Sequence, residues 1–217
     1  MDIRNYFKIN NESETNPIKN TSYELNNSDK SFEINCYENK SINSLKVYEV
    51  FTDGSTFNNG QKKKIQYGGI GIYFNNDCFN PISETLSGKI TNNIAELKAC
   101  IKAIEFLINQ PEYNNNHIHI YTDSEYTINS IVKWSINWEK NGWINKKKQE
   151  IANKELIILL YNYYKKFNIK FIHVRAHTSK PKDTNSIEYK IWYGNYAADL
   201  LARDASKHGD INNIFNN

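Results

Sequence analysis

The order of strand-like and helix-like segments after residue 45 restricts this chain to a mixed α/β sheet. Residues 47–52, 67–74 and 82–90 have the alternating or apolar character of strands, and they follow one another closely enough for antiparallel hairpins. Helix-like and strand-like segments then alternate to the end of the chain. Because helical crossovers join parallel strands, the pattern predicts an α/β fold: a five-stranded mixed sheet, with three antiparallel strands and two parallel ones, flanked by helices.

The helices are predicted from apolar residues at helical spacing and from capping residues. The segment 93–107 carries apolar residues three or four positions apart, namely Ile94, Leu97, Ile101, Ile104 and Leu107. Ser124 can cap a second helix that runs to about Trp134. The remaining predicted segments are helices at 152–167 and 194–206 and strands at 118–122 and 169–174.

The first 45 residues differ in composition from the rest. Residues 8–45 are rich in Asn, Ser, Glu and Lys and poor in apolar side chains, so burial cannot offset the entropy lost on ordering. We therefore expect a disordered tail at 1–45, a folded domain at 46–210 and a flexible C-terminus at 211–217. The net charge is +3, and much of the positive charge lies between residues 133 and 154.

The cysteines and the hydropathy of the sequence indicate in which cellular compartment the protein is expected. Cys36, Cys78 and Cys100 lack metal-ligand spacing, which favours reduced thiols in an intracellular protein, in the cytoplasm, the nucleus or a viral replication site. No N-terminal apolar run is present, so we expect neither a secretory signal nor a membrane partner. We also expect a monomer.

Four acidic residues fall where chemistry at the rim of such a sheet is expected. Asp53 and Asp123 end predicted strands, and Glu96 and Asp199 fall in the first turns of predicted helices. Carboxylates that meet at one rim repel each other unless a hard cation such as Mg²⁺ lies between them. Each acid alone also has an ordinary explanation, as a turn residue before Gly or as a complement to a helix dipole. Spacing does not show that the four meet.

Seven segments, in one order, resemble type 1 ribonucleases H. They are FTDGST (51–56), TNNIAEL (91–97), YTDSEYTINSI (121–131), WSINWEKNGW (134–143), IANKEL (151–156), HVRAHTS (173–179) and GNYAADLLA (194–202). The resemblance covers about residues 47–205 and implies a ribonuclease H-like fold. It implies metal-binding, catalytic acids at positions Asp53, Glu96, Asp123 and Asp199.

The resemblance also implies a reaction and a cofactor. Members of this family cut the RNA strand of RNA–DNA hybrids by two-metal-ion hydrolysis, which leaves 3′-hydroxyl and 5′-phosphate ends. We therefore expect two Mg²⁺ ions with substrate, and Mn²⁺ as a substitute. Two functions from other classes stay open: a catalytically silent hybrid-binding module, which the intact acids disfavour, and a DNA junction resolvase, which the hybrid-binding residues below disfavour.

His177 matches a histidine that assists catalysis in this family, through proton transfer and product release. The ordinary pKa of histidine, near neutrality, suits that work. Two departures are visible: Ala176 stands where the family usually has Gly, and an insertion at 179–193 lengthens the separation between His177 and Asp199. The alternative is a surface histidine without a catalytic role.

Further residues are implied to bind the hybrid. Those that match hydroxyl-reading residues are Asn59, Asn92 and Asn93, those that match a DNA-phosphate pocket are Thr91 and Asn153, and those that match a DNA channel are Tyr126 and Asn129. Reading hydroxyls in this way distinguishes RNA from DNA. Short Asn and Thr side chains also serve as ordinary loop and cap residues, so both explanations remain.

The stretch 133–154 combines three Trp residues with six Lys and two Glu, a local charge of +4. It resembles the basic protrusion that grips the DNA strand in this family, in which Lys contacts phosphates and aromatic rings pack on sugars or bases. We assign Trp134 to substrate binding. The spacing of Trp134, Trp138 and Trp143 also fits a small core between two short helices, and we expect at least two of them to be mainly structural.

Ile3, Tyr6 and Phe7 have the spacing of the core of sliding-clamp binding peptides, which insert one aliphatic and two aromatic side chains into an apolar groove. A disordered tail would tether such a peptide, at residues 1–8, loosely to the folded domain. Because the pattern is short, a chance match is an equally open explanation.

Overall fold

The computed structural model describes residues 46–57, 67–76 and 78–214, with side chains described as far as residue 207. The predicted tail, its residues Ile3, Tyr6 and Phe7, and the predicted hydroxyl reader Asn59 all lie outside the described residues. The predicted domain boundaries therefore stay predictions.

Five strands form one mixed sheet. They are β1 (Val47–Phe57), β2 (Tyr67–Phe74), β3 (Ile82–Leu86), β4 (His117–Thr122) and β5 (Ile169–His173). The strand order is β3-β2-β1-β4-β5. The pairs β1–β2 and β2–β3 are antiparallel, whereas β1–β4 and β4–β5 are parallel, which confirms the predicted fold class.

Within the residues that the structure describes, five α-helices accompany the sheet. They are α1 (Asn92–Ile108), α2 (Glu125–Ile128), α3 (Ser135–Lys140), α4 (Lys154–Lys166) and α5 (Ile187–Ile214). A π-helical stretch, Asn129–Trp134, joins α2 to α3. Within the described ranges, no helix combines the length and the apolar character that crossing a bilayer requires.

The two faces of the sheet carry separate apolar clusters, because successive side chains of a strand point to opposite faces. Tyr48 and Val50 of β1 belong to the larger cluster, which also contains buried residues of α1 and α4. Phe51, the next residue along β1, belongs to a smaller cluster with Ala198 of α5. Helices α1 and α5 therefore cover opposite faces of the sheet.

Two predicted boundaries near the acids are wrong. Strand β1 does not end at Asp53: it continues through Asp53-Gly54-Ser55 to Phe57, because β2 pairs with it along the whole of that length. Helix α5 begins at Ile187 rather than Gly194, since part of the predicted insertion is helical. Ile191, within that added part, packs against the smaller cluster, and this burial stabilises the extra helical turns.

Smaller differences lie elsewhere. Strand β3 ends at Leu86 rather than Ile90, before a turn in which Gly88 has a φ of +99°. The helix that Ser124 caps changes to π-helical hydrogen bonding at Asn129. Trp138 and Trp143 are partly buried against the larger cluster, which confirms that two of the three Trp residues in this stretch are structural.

Candidate active site

Asp53 lies beyond the point at which β1 loses its parallel neighbour. The pairing of β1 with β4 ends at Phe51–Tyr121, while its pairing with β2 continues and sets Asp53 opposite Gly71. The backbone N–H of Gly54 donates a hydrogen bond to Oδ1 of Asp53, at 2.8 Å. This carboxylate is therefore held at an open edge of the sheet, where the strands diverge.

Glu96 reaches Asp53 because α1 begins directly against β1. A Cβ atom on Gly54 would lie 2.2 Å from the backbone nitrogen of Glu96, so only glycine permits this approach. Thr91 caps the helix by accepting a hydrogen bond from the Ile94 N–H. The helix begins at Asn92, and Glu96 therefore lies in its second turn rather than in the predicted first turn. The helix dipole acts mainly in the first turn, so a favourable interaction with the dipole is a weaker explanation for an acidic residue at position 96.

Asp123 follows β4 directly, and the next residue joins it to Glu96. Ser124 caps α2 by accepting a hydrogen bond from the Thr127 N–H at 3.1 Å, and its hydroxyl donates to Oε2 of Glu96. Each of Asp53, Glu96 and Asp123 offers a carboxylate oxygen, and these three atoms all lie within 4.8 Å of one another. The structure thus brings together three of the four predicted acids as one cluster.

Asp199 approaches from the opposite face, on α5. A Cβ atom on Gly71 would lie 2.0 Å from the carbonyl oxygen of Ala198, so glycine at this position lets α5 pack directly on β2. Because Gly71 pairs with Asp53, this contact brings Asp199 towards the cluster. The prediction that Asp199 lies in the first turns of its helix is wrong, because Asp199 comes twelve residues after the first residue of α5, Ile187. Its Oδ2 atom lies 3.5 Å from Nη1 of Arg203.

The cluster carries strong electrostatic repulsion. Burial raises the pKa of Asp53 to about 8, and the charges of Asp123, Asp199 and Glu96 act in the same direction against the opposing hydrogen bond from Gly54. Burial also raises the pKa of Glu96, and the charge of Asp123 adds to this, while the hydrogen bond from Ser124 acts against it. A cation between the carboxylates would relieve this repulsion.

The donor atoms of the cluster fit a hard divalent cation. The carboxylates supply only oxygen ligands, which Mg²⁺ and Mn²⁺ prefer. The Cys100 thiol is buried and hydrogen-bonded to Thr52, and burial raises its pKa to about 12. Among the described residues, the group that could hold a metal ion consists of the three carboxylates and does not include this thiol.

His177 lies in the loop between β5 and α5, beside the acids. It is exposed, has a φ of +51°, and lines a cavity of about 560 Å³ together with Asp123 and Asp199. The structure thus places His177 next to the acid cluster, despite the longer separation in sequence. Its catalytic role stays a prediction.

The predicted RNA-side residues cluster at the start of α1. Asn92 and Asn93 are exposed in its first turn, three or four residues before Glu96. The Oδ1 atom of Asn92 accepts a hydrogen bond from the Thr56 hydroxyl of β1. Asn92 and Asn93 therefore lie on the exposed turn of α1 that precedes Glu96.

The predicted DNA-side residues form a second group. The Asn153 amide donates a hydrogen bond to the Tyr126 hydroxyl at 3.0 Å, and the rings of Tyr126 and Trp134 meet at 6.4 Å. Trp134 is 40% exposed. Asn129 is half-buried where the π-helical stretch begins. Thr91 and Asn153, predicted to share one phosphate pocket, precede different helices, α1 and α4.

Two residues contribute to this site in ways that were not predicted from the sequence. Ser124 was identified only as a cap, and Gly54 only as part of a turn-like motif, whereas the Gly-rich segment 67–74, which contains Gly71, is a strand along which close backbone approach is expected. A small residue inside a strand segment beside an acid is a signal of close helix packing, and this signal was available in the sequence.

Comparisons with known proteins agree with this geometry. The RNase H family profile matches residues 45–207. A "Probable ribonuclease H" of Acanthamoeba polyphaga mimivirus is 40% identical over 141 residues, which cover 64% of this chain and 58% of that protein. The human "Ribonuclease H1" is 34% identical over 161 residues, which cover 74% of this chain and 50% of that protein. The chain thus spans about half the length of these curated relatives.

A solved structure gives the same result. The solution structure of the PFV RNase H domain aligns with a TM-score of 0.57 at 25% identity, over 74% of this chain and 94% of that domain. The profile match covers three quarters of the chain and includes every acid of the cluster. On these grounds, the chain belongs to the ribonuclease H family.

Proposed function

We propose that this protein is an endoribonuclease that cleaves the RNA strand of RNA–DNA hybrids, leaving 3′-hydroxyl and 5′-phosphate ends. The observation that carries the proposal is the cluster of Asp53, Glu96 and Asp123, whose carboxylate oxygens lie within 4.8 Å of one another. Family membership supports the same reaction. Two Mg²⁺ ions, or Mn²⁺ in their place, would be held by these three acids and Asp199, and would supply an activated water and charge neutralisation at the scissile phosphate.

Other groups of the protein would position the metal ligands and transfer a proton. Asp53 and Glu96 are fixed by hydrogen bonds from Gly54 and Ser124, so the ligand oxygens are positioned before substrate arrives. Ser124 also acts as the cap of α2, which ties the position of Glu96 to the end of β4. His177 lines the adjoining cavity with Asp123 and Asp199 and would carry a proton to or from the reacting oxygens.

Selectivity for a hybrid needs contacts to both strands. We propose that Asn92 and Asn93 contact the RNA strand, because they are exposed on the turn of α1 that leads to Glu96. Tyr126, Trp134 and Asn153 would together contact the DNA strand. The exposed Trp134 ring lies beside the Tyr126 ring, whose hydroxyl is hydrogen-bonded to the Asn153 amide.

Cleavage of a labelled hybrid, with and without Mg²⁺, tests the function. We expect Asp123→Asn to lower the cleavage rate by at least about a hundredfold while the unfolding midpoint is maintained, because even residues that only support metal ligands typically contribute 10–100-fold. Asp183→Asn is the matched control, since Asp183 is exposed in a loop outside the cavity. Unchanged cleavage by Asp123→Asn would contradict the proposal.

The same assay separates the competing functions. A hybrid-binding module without activity would bind the labelled hybrid and leave it intact with either cation. A junction resolvase would cut branched all-DNA substrates in preference to the hybrid. Cleavage confined to the RNA strand of the hybrid, with an all-DNA duplex left intact, is the result we expect.

We also propose that residues 1–8 bind a sliding clamp through Ile3, Tyr6 and Phe7. The support is the spacing of one aliphatic and two aromatic side chains. A peptide of residues 1–12 should bind the clamp, and replacing both Tyr6 and Phe7 with Ala should abolish that binding. Unchanged affinity of the doubly substituted peptide would leave chance as the explanation.

A further inference from the structure

The added turns at the start of α5 carry two stacked pairs of aromatic rings. Tyr189 and Tyr193 stack with their ring centroids 6.2 Å apart, and Trp192 and Tyr196 stack at 5.3 Å with planes only 8° apart. Each pair is separated by four residues, so its members lie on one face of the helix. The catalytic reaction proposed above uses neither pair.

The two pairs have different surroundings. Tyr193 meets Tyr73 of β2 edge-on at 5.6 Å, so the first pair attaches the helix to the sheet. Trp192 and Tyr196 instead line the cavity of about 560 Å³ that also contains Asp123 and Asp199. Tyr196 remains 45% exposed. The second pair is therefore an aromatic wall beside the acid cluster.

Contacts with the loop that bears His177 hold this wall in place. The Trp192 indole N–H donates a hydrogen bond to the Thr178 carbonyl oxygen at 3.0 Å. The Lys180 ammonium lies 5.8 Å from the centre of the Trp192 ring and 5.6 Å from that of Tyr189. At the other face of the helix, Lys190 forms an ion pair with Glu49 of β1 at 2.9 Å. The cavity is thus bounded by two elements that are fixed to each other and to the sheet.

The size and charge of the cavity limit what it can hold. A volume of about 560 Å³ is typical of sites for single small molecules, and is far smaller than a duplex requires. Arg175 and Arg203 contribute positive charge, while Glu188 and the two catalytic acids contribute negative charge. A flat ring system attached to a phosphate would match the aromatic wall, the arginines and the cations expected at the acids.

We propose that this cavity binds one unpaired nucleotide of the RNA strand, with its base stacked on the pair formed by Trp192 and Tyr196. The inference rests on the proposed function, because the strand that crosses the acid cluster is the strand that is cut. Every base has a π-face, so stacking would hold the nucleotide whichever base it carries. The enzyme would then prefer hybrids whose RNA strand continues as a single strand past the paired region.

The test compares substrates that differ only in an unpaired extension. The Asp123→Asn protein is used because its cleavage is expected to be at least about a hundredfold slower. Its affinity is measured with Mg²⁺ for a blunt hybrid and for the same hybrid with three unpaired RNA nucleotides at either end of the RNA strand. We expect one of the two extensions to tighten binding about fivefold or more. Adding Tyr196→Ala should remove most of this gain, and adding Tyr196→Phe should retain it, because a phenyl ring still stacks.

Three controls separate stacking from other causes. Ile187→Ala, on the same helix but outside the cavity, should leave the gain unchanged, since Ile187 is 72% exposed. An abasic RNA extension should give no gain, and neither should a DNA extension on the DNA strand. The proposal is overturned if neither RNA extension tightens binding, if the abasic extension does so equally, or if Tyr196→Ala leaves the gain intact.

Failure here is distinguishable from failure of the proposed function. If the unsubstituted protein cuts a blunt hybrid but shows no effect of the extension, the endonuclease assignment stands and only the nucleotide site is refuted. If it cuts no hybrid at all, the assignment itself fails, whatever the binding measurements show.

Discussion

Replacing Asp53 with Asn should stabilise the protein in the absence of divalent cations. The folded state raises the pKa of Asp53 from its ordinary value of 3.8 to about 8 through burial and neighbouring acids. At pH 7 the unfolded chain carries an ionised carboxylate, whereas the folded chain must protonate it or bury its charge. The interval from 3.8 to 7 corresponds to about 4 kcal/mol of lost stability. Because a buried amide also has a desolvation cost, we expect Asp53→Asn to raise the free energy of unfolding by about 2–4 kcal/mol.

The pH dependence of this gain has a definite sign. A carboxyl group whose pKa is raised by folding binds more protons in the folded state than in the unfolded state, so stability falls as pH rises. The stability of Asp53→Asn relative to the unsubstituted protein should therefore be lowest below about pH 4, rise between pH 4 and pH 8, and then level off. Added Mg²⁺ should reduce the difference, because a cation stabilises only the ionised cluster.

Urea denaturation of both proteins in EDTA, from pH 4 to pH 9, measures this effect. Asp183→Asn is the matched control: it is the same substitution at an exposed position, and it should change the free energy of unfolding by less than about 0.5 kcal/mol. If Asp53→Asn is no more stable than the unsubstituted protein at pH 7 without cations, burial and the neighbouring acids do not raise the pKa of Asp53 as described. A gain of the same size at every pH would refute the titration argument instead.

Three further substitutions test how the site is held. Gly71→Ala should cost about 1–3 kcal/mol or more in urea denaturation and should lower hybrid cleavage, because a Cβ atom there lies 2.0 Å from the backbone of α5; unchanged activity would contradict this. Ser124→Ala should cost about 1 kcal/mol through loss of the cap, and should lower cleavage further because Glu96 loses its donor; Thr as the replacement should restore both. Glu49→Gln should cost about 1 kcal/mol or less. Hydrogen bonds from Lys190 and two other partners together lower the pKa of Glu49 although burial acts against them, and solvent weakens the ion pair because the Lys190 side chain is half exposed. That stabilisation should be present above about pH 4.5 and be lost as pH falls below it, so acid unfolding curves of the two proteins should converge.

The order of elements could be predicted from periodicity, and the antiparallel and parallel pairing of the strands from the short connections and helical crossovers between them. The alternation in 47–52 and 67–74, and the helical spacing in 93–107, depend only on which side chains face the interior, and the structure has all three elements. The end of β1 could not be predicted in this way. Asp-Gly favours a turn locally, but continued pairing with β2 overrides that preference.

The start of α5 was missed for a related reason. The polar run of Lys, Asp, Thr and Asn at 180–186 is typical of a loop, and the helix that follows it was assigned to the same insertion. What stabilises those turns is contact with distant parts of the chain: Ile191 with the smaller cluster, Tyr193 with Tyr73, and Lys190 with Glu49. Tertiary contacts of this kind leave no local periodic signal, so the aromatic wall they support was not predicted either.

The spacing of the acids is set by backbone packing rather than by the acids themselves. Carboxylates repel, so side-chain attraction cannot assemble this cluster. Instead, the absence of a Cβ atom at Gly54 lets α1 approach β1 from one face, and its absence at Gly71 lets α5 approach β2 from the other. Each contact brings one helical acid, Glu96 or Asp199, towards Asp53. The fold therefore holds the acids together before any cation binds, although their burial and mutual repulsion destabilise it. Cation binding should offset this destabilisation.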